Sequence, residues 1–581
     1  MSHRKQLIQA GLGQLRLDLV INNVQIVNVF SGKIEPGAIG IKGNRIVTPY
    51  AFGYDAELIC DGQGMFALPG FIDTHVHIDS TLLTPEYLSA LIVPHGTTSM
   101  FTDPMEISNV AGLMGLEALV ANSDRLSYNL FIEVPSRVPS APGLETTGGE
   151  LGLAEVKEIL TWKKTLSLGE LDPSKVLGLK DEYLSKVEAA IALGKICNGH
   201  TAGLGELELT GYACGGLSDD HECVDYPDAI RRLNLGLSVL IREGSSERNL
   251  QLILQGVIAN QIDCSNLMFC TDDKHPDDIQ REGHIDYMVN QAISMGLEPV
   301  RAIQMATINA ARHFRVDHLV GSLAPSRYAD IILSPSLERI EPQKVIFHGK
   351  IVAEKGKLSA ILPELNYPPA LYKTISIARG SDPKDFHLKA TGTRTRVRVI
   401  DLIPDQIINK ELIVELTIQN GCVLNDLDRD ILKLAVVERY GKNGGIGITF
   451  VRGFNLKRGA IASSVSHDHH NIVVAGTNDI DMAVCVEAIE KMQGGLVIVV
   501  DGVVWGELPL PIGGLMSDRP ADQVIASLQK LARYYQEAGG TLAAPFMSLS
   551  FISLPTVPEL GLTDKGLVDV HTHELISTIL D

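Results

Sequence analysis

The chain begins with short stretches in which apolar and polar residues alternate. LVINNVQIVNV, AIGIKGNRIV and AELICDGQGMFAL lie between about Asp18 and Leu68, separated by Gly-containing turns. Period-two alternation predicts strands with one buried face, so residues 1–68 read as part of a small β-domain. The same rhythm returns far downstream, at Ala329-Asp330-Ile331-Ile332-Leu333 and from Val345 to Val352. Two distant segments, 1–68 and 321–360, are therefore expected to build one β-sandwich, with everything between them inserted.

The insert, 69–320, has another rhythm. Short apolar runs end in polar or charged clusters, and each leads into a segment of helical length. Eight runs fit this pattern: FIDTHVHID, TTSMFTD, LFIEVPS, VLGLKDE, KICNGH, GLSDDHE, LSVLIREGS and LMFCTDD. Pro85 to Val93 and Ser246 to Gln255 are the clearest of the helices between them. Eight strand–helix alternations predict a (β/α)8 barrel, a fold that carries its chemistry at the C-terminal ends of its strands. His, Asp and Glu gather at those ends here. A Pro-rich connection within 361–390 (LPELNYPPAL) leads to residues 391–581, which contain strands such as GIGITFV and GGLVIVV and no repeat spacing. The expected class is α/β: a TIM-like barrel inserted in a small β-sandwich, plus a C-terminal α/β domain.

Composition narrows the partners. A chain of 581 residues is too long for one compact core, and 45% hydrophobic with 21% charged residues is the balance of a folded protein. The formal net charge of −20 makes nucleic acid and anionic membrane surfaces poor partners, although acidic clusters can hold divalent cations. The eight cysteines are scattered with no C-x-x-C pair, which reads as free thiols in a reducing compartment. The N-terminus has no signal-peptide pattern and no apolar stretch is long enough to span a bilayer, so a cytoplasmic location is expected.

His75-Val76-His77 ends the first barrel run. Residues i and i+2 of a strand share a face, so two imidazoles can converge on one cation there. His200 ends the fifth run and His221 the sixth. Each alone is as compatible with turn or cap chemistry, but four strand-end histidines on one barrel face point to a metal. Imidazole with carboxylate suits Zn, Fe(II) or Mn. Asp272, at the end of the eighth run, supplies a carboxylate to bind metal and accept a proton from water.

PGFIDTHVHID resembles the strand-one signature of the amidohydrolase superfamily. GTTSMFTDPMEISNV, NGHTAGL, SDDHE, IREGSSERNL, TDDKHPDD and Gly283-His284-Ile285-Asp286 resemble, more specifically, the adenine deaminases. So do GFNLKRGAIASSVSHDHHNIVVAGTND and PFMSLSFISLPTVPELGLTDKG, and the similarity runs over nearly the whole chain. The resemblance implies hydrolysis of adenine, a small-molecule purine base, to hypoxanthine and ammonia by a binuclear Mn, Fe or Zn centre, in a homo-oligomer with a dimer favoured. Carried across, His75, His77, His200, His221 and Asp272 fall on metal ligands. Asp272 falls on the catalytic strand-eight aspartate and is read with His221 and Glu106 as catalytic, and Glu243 and Ser245, at the end of the seventh run, are read with Asp273 as lining the base pocket. Glu243 and Ser245 read equally well as caps of the next helix.

Two departures stand out. Where the family has Asp-Pro-His-Glu, this chain reads Asp103-Pro104-Met105-Glu106, and a thioether neither donates a proton nor binds a hard cation. Where the family has Gly-Leu-Ala-Glu, Gly178-Leu179-Lys180-Asp181-Glu182 is read as its counterpart, with Asp181 as the bridging ligand and a carbamylated Lys180 as the alternative. Asp103 and Glu106 are also candidates for an ancillary cation or a water, and Asp103 for a helix cap. His467-Asp468-His469-His470 looks like a metal cluster and is read as a loop packed over the active site. His571-Thr572-His573 is read as solvated tail. Two other functions fit the residues: deamination of an N6-substituted adenine or related heterocycle (or cyclic-amide hydrolysis), and purine binding without catalysis.

Overall fold

The computed structural model describes residues 3–403, 408–557 and 559–581. The alternating N-terminal stretches form strands Leu17–Asn28, Lys33–Lys42, Arg45–Thr48, Ala56–Asp61 and Phe66–Pro69. They share one nine-stranded sheet with Ile331–Ser334, Lys344–Phe347, Lys350–Glu354 and Lys357–Leu358. The seam is antiparallel, with Pro69 opposite Ile331 and Phe66 opposite Ser334. The sheet curls back on itself, because the Ile46 N–H donates to the Arg327 carbonyl at 2.9 Å. Leu19, Ile21, Ile39, Ile41, Ile331 and Ile346 pack together inside the curl.

Between the two halves lie eight parallel strands: β1 Phe71–Val76, β2 Thr97–Thr102, β3 Asn129–Val134, β4 Thr165–Leu171, β5 Ile196–Gly199, β6 Asp219–Asp220, β7 Ser238–Arg242 and β8 Leu267–Cys270. Strands β1 to β5 pair in order, as do β6 to β8. The Ser218 N–H crosses from before β6 to the Cys197 carbonyl of β5 at 2.8 Å. The barrel closes where Asp272 N donates to His75 O at 3.0 Å and His77 N donates to Asp272 O at 3.3 Å. Ile72, Phe101, Phe131, Ile196, Leu240 and Met268, one from each of six strands, share a buried cluster. Side chains two positions further on point the same way. Glu133, Asn198 and Arg242 therefore stand one step above Phe131, Ile196 and Leu240, and the apolar floor gives way to a polar mouth.

Strand four lies elsewhere than expected. TLSLGEL forms β4, and the run VLGLKDE straddles a short helix at Pro173–Val176 and the start of helix Asp181–Ala192. Asp172 accepts the Ser174 N–H at 3.0 Å and Pro173 takes the first helical position, so the chain is committed to helix before Val176 is reached. The helix expected from Ser246 begins at Leu250, because Glu243 and Arg248 form a β-bridge that holds the preceding turn open.

The C-terminal region contains a second nine-stranded sheet that includes Ile446–Arg452 and Gly495–Val500, with helices Asp479–Lys491 and Ala521–Glu537. Two of its segments reach the barrel mouth. One is the buried loop 464–471 and the other is helix Pro545–Phe551 with the residues after it. Among the described residues, no helix is long and apolar enough to cross a membrane.

Candidate metal centre

The two imidazoles of β1 are each fixed through Nδ1. His75 Nδ1 lies 2.8 Å from Glu133 Oε2, and His77 Nδ1 donates to the Asp103 carbonyl at 2.9 Å. An acceptor on Nδ1 places the proton there and leaves the Nε2 lone pair pointing into the mouth. His75 Nε2 is buried with no hydrogen-bond partner among the described residues. It lies 3.6 Å from Glu170 Oε2 and 3.9 Å from Asp272 Oδ1, and His77 Nε2 lies 3.6 Å from the same Asp272 oxygen.

Glu170, on β4, is the hub. Arg137 holds its Oε1, and its Oε2 lies 3.1 Å from His200 Nδ1 and 3.1 Å from His221 Nε2. Glu222 backs the same two imidazoles at 3.3 and 3.4 Å and accepts both ends of the Arg242 guanidinium at 2.7 and 3.0 Å. Arg242 also donates to Asp272 Oδ2 at 2.8 Å, which leaves Asp272 Oδ1 for the mouth. Burial alone would raise the Asp272 carboxyl, but Arg242 foremost, and then His221, pull it down to about 2. Glu170 is likewise held well below the carboxylate range, burial being outweighed by His200 and Arg137. Asp272 has φ of +55°, a left-handed backbone that non-glycine residues adopt mainly at constrained functional positions.

These donors fit a divalent cation. His75, His77 and Glu170 form one group of mutually close ligand atoms, Glu170, His200 and His221 another, and His75, His221 and Asp272 a third, each within 4.8 Å. An unpartnered buried nitrogen costs roughly 1–3 kcal/mol, which coordination at His75 Nε2 would remove. Imidazole and carboxylate in this mixture suit Zn, Mn or Fe.

The structure brings His75, His77, His200, His221 and Asp272 together, and all of these but His75 line one small cavity of about 40 Å³ with Asp273 and Glu106. Asp181 is not there. It is exposed at the start of helix Asp181–Ala192, Lys180 immediately precedes that helix and is also exposed, and the carboxylate that stands among the histidines is Glu170. Glu106 has both oxygens engaged, Oε1 3.1 Å from His467 Nδ1 and Oε2 against His470 Nε2. Glu243 accepts the Leu250 N–H at 3.3 Å and lies 3.6 Å from Arg248, which is the capping arrangement. Ser245 bonds Asp278 and lines a separate cleft of about 1180 Å³, which adjoins the small cavity through Glu222, Arg242 and Glu247. Met105 is buried on the cavity wall, and Ser140 Oγ donates to its sulfur at 3.8 Å. Asp103 accepts the Glu170 N–H at 3.1 Å, tying β4 to β2. His571 and His573 sit exposed in a turn.

Sequence reasoning missed Glu133, Arg137, Glu170, Glu222, Arg242 and Glu247. Glu170 carried a readable signal, since it ends an apolar run directly before the Asp172-Pro173 helix start. The HDHH loop does cover the centre: Asp468 pairs with Arg137 at 3.3 Å and all four residues are buried.

An eight-stranded parallel barrel with this donor set at its strand ends defines an amidohydrolase-type enzyme, and residues 66–352 match the amidohydrolase family. Residues 406–574 match the adenine deaminase C-terminal domain. Proteins named adenine deaminase from Desulforamulus reducens and Moorella thermoacetica are 52% and 38% identical, each covering 99% of this chain and 98% of its own length. One from Dehalococcoides mccartyi is 39% identical, covering 98% of each. The chain belongs to the adenine deaminase family.

Proposed function

We propose that the chain hydrolyses adenine to hypoxanthine and ammonia on a centre holding two divalent cations, of iron, manganese or zinc. The observation that carries this reading is Glu170 Oε2, which stands between the His75–His77 pair and the His200–His221 pair and so has the placement of a shared ligand. A bound divalent cation supplies Lewis acidity that makes water nucleophilic near neutral pH.

The rest is done by side chains of the chain itself. Glu133 and the Asp103 carbonyl hold two imidazoles with Nε2 inward, and Arg137 turns Glu170 so that one oxygen faces the mouth. Arg242 anchors Asp272 through Oδ2, leaving Oδ1 to take a proton from the attacking water and return it to the purine or its departing amine. Phe551, Leu554 and Val557 wall the cavity with apolar surface, which favours a flat heterocycle and excludes bulk water. Met105 on the same wall keeps N6-substituted adenines as the second candidate substrate.

Ammonia release from adenine beside N6-methyladenine, with metal counted per chain, tests the proposal. Adenine turnover that tracks about two equivalents of metal is the expected result. Turnover of neither base by fully metallated protein refutes it. The same reading makes the protein a cytoplasmic homodimer, which sedimentation tests for the oligomeric state.

A further inference from the structure

The cluster Glu106–His467–His470 has the composition of a third metal site, and its three ligand atoms lie within 4.8 Å of one another. Its hydrogen bonds say otherwise. The backbone N–H of Ser466 donates to His470 Nδ1 at 3.2 Å, so that nitrogen carries a lone pair and the ring proton sits on Nε2. His470 Nε2 then donates to Glu106 Oε2 and has no lone pair for a cation. The remaining oxygen, Oε1, faces His467 Nδ1 at 3.1 Å and accepts its proton. The chain of bonds runs from the Ser466 amide through His470 to Glu106, and from Glu106 to His467.

What the chain of bonds fixes is the far side of the His467 ring. Its Nε2 is buried and has no hydrogen-bond partner among the described residues, and the same holds for Asp273 Oδ1, 4.0 Å away. Both residues line the small cavity that also holds His77, His221 and Asp272. The imidazole is stacked on Phe551 with ring centroids 4.8 Å apart at 15°, so its plane is set as well as its tautomer. Two unpaired polar atoms on one cavity wall are costly unless a ligand meets them, and that is how a site comes to discriminate by hydrogen bonding.

We propose that His467, from the C-terminal domain, is a substrate-contacting residue, and that with Asp273 it reads the nitrogen-bearing edge of the bound purine. Asp273 accepts one N–H of the heterocycle, and His467 Nε2, which carries no proton while Nδ1 donates to Glu106, accepts another. Glu106 and His470 are positioning residues behind it. The inference rests on the purine reading above and adds where the specificity comes from.

Two variants separate contact from architecture. His467→Asn keeps an amide near the Nδ1 position, facing Glu106, and loses the atom that faces the cavity. His467→Gln places an amide near Nε2. Hypoxanthine affinity is measured by calorimetry on metal-loaded protein, beside metal per chain and the KM and kcat for adenine. One lost hydrogen bond in a dry pocket corresponds to about a tenfold loss. The expected result is that His467→Asn binds hypoxanthine about tenfold more weakly with KM raised in step, His467→Gln recovers most of that, and both keep the parental metal content. Binding by His467→Asn within about twofold of the parent overturns the proposal, as does an equal loss of metal and binding in both variants. A parent chain that binds no hypoxanthine overturns the purine reading itself.

Discussion

Glu133 does not line the small cavity, yet it holds one of the imidazoles that would bind metal there. Its Oε2 faces His75 Nδ1 at 2.8 Å and its Oε1 accepts Asn198 Nδ2 at 3.2 Å, with the side chain fully buried. Glu133→Ala leaves two buried donors without acceptors, roughly 1–3 kcal/mol each, and frees the His75 ring to turn. Outer partners of a ligating imidazole are typically worth about 10–100-fold in metal affinity, and the alanine variant is expected within that range. Glu133→Gln is milder for a reason the structure supplies. One amide oxygen still meets His75, and the Asn198 Oδ1, unpartnered in the parent, can turn to accept the new NH2. The difference between a charge-assisted and a neutral bond is then what remains, roughly 1 kcal/mol or about fivefold. Competition of Mn or Zn against a chelator, with metal counted per chain, reads both numbers. Alanine and glutamine variants that both hold metal as tightly as the parent would refute the claim that Glu133 orients His75.

Other perturbations reach different layers. Asp272→Asn keeps the size of the side chain but cannot take a proton, so kcat should fall by about 10²–10⁴-fold with metal still bound. Near-parental turnover would assign the proton elsewhere. Arg232 is fully buried, paired with Asp220 and Asp228 and bonded to Thr201. Arg232→Met strands those carboxylates and should cost about 3–5 kcal/mol in urea unfolding, and a loss under about 1 kcal/mol would show that the pairing is not needed. Burial raises the Glu145 carboxyl from 4.5 to about 7, against the Ala141 N–H bond that lowers it. Because the folded value is the higher one, the stability it contributes is complete below about pH 4.5 and is lost as pH rises through about 7. Glu145→Gln should therefore be more stable than the parent at pH 8 by about 2–3 kcal/mol and converge with it near pH 4.5, and parallel stability curves would contradict this.

The barrel was legible because its rhythm is local, with each apolar run short and each polar end close behind. Strand four escaped because Leu177-Gly178-Leu179, followed by Lys180-Asp181-Glu182, imitates such a run and drew the reading away from TLSLGEL, which carries Glu170 with Asp172 just after it. The first candidate ligands were legible for the same local reason, with His75 and His77 two residues apart. Glu133, Arg137 and Arg242 were not, since each acts through a partner that only the closed barrel brings near. The HDHH loop shows a sharper limit. Its histidines look alike in sequence, but the Ser466 amide on His470 decides which nitrogen carries the proton, and backbone geometry of that kind leaves no trace in composition.

The seam of the small sheet also sets a timetable for folding. Phe66–Pro69 pairs with Ile331–Ser334, which is made more than 250 residues later. At about 5–20 residues per second, this strand leaves the ribosome tens of seconds before its partner exists, with an open edge that can pair with any passing chain. The barrel must be synthesised in that interval, and its folding brings the two halves of the seam together. A defect in the barrel should thus surface first as aggregation through the N-terminal sheet, far from the metal centre that the barrel was built to carry.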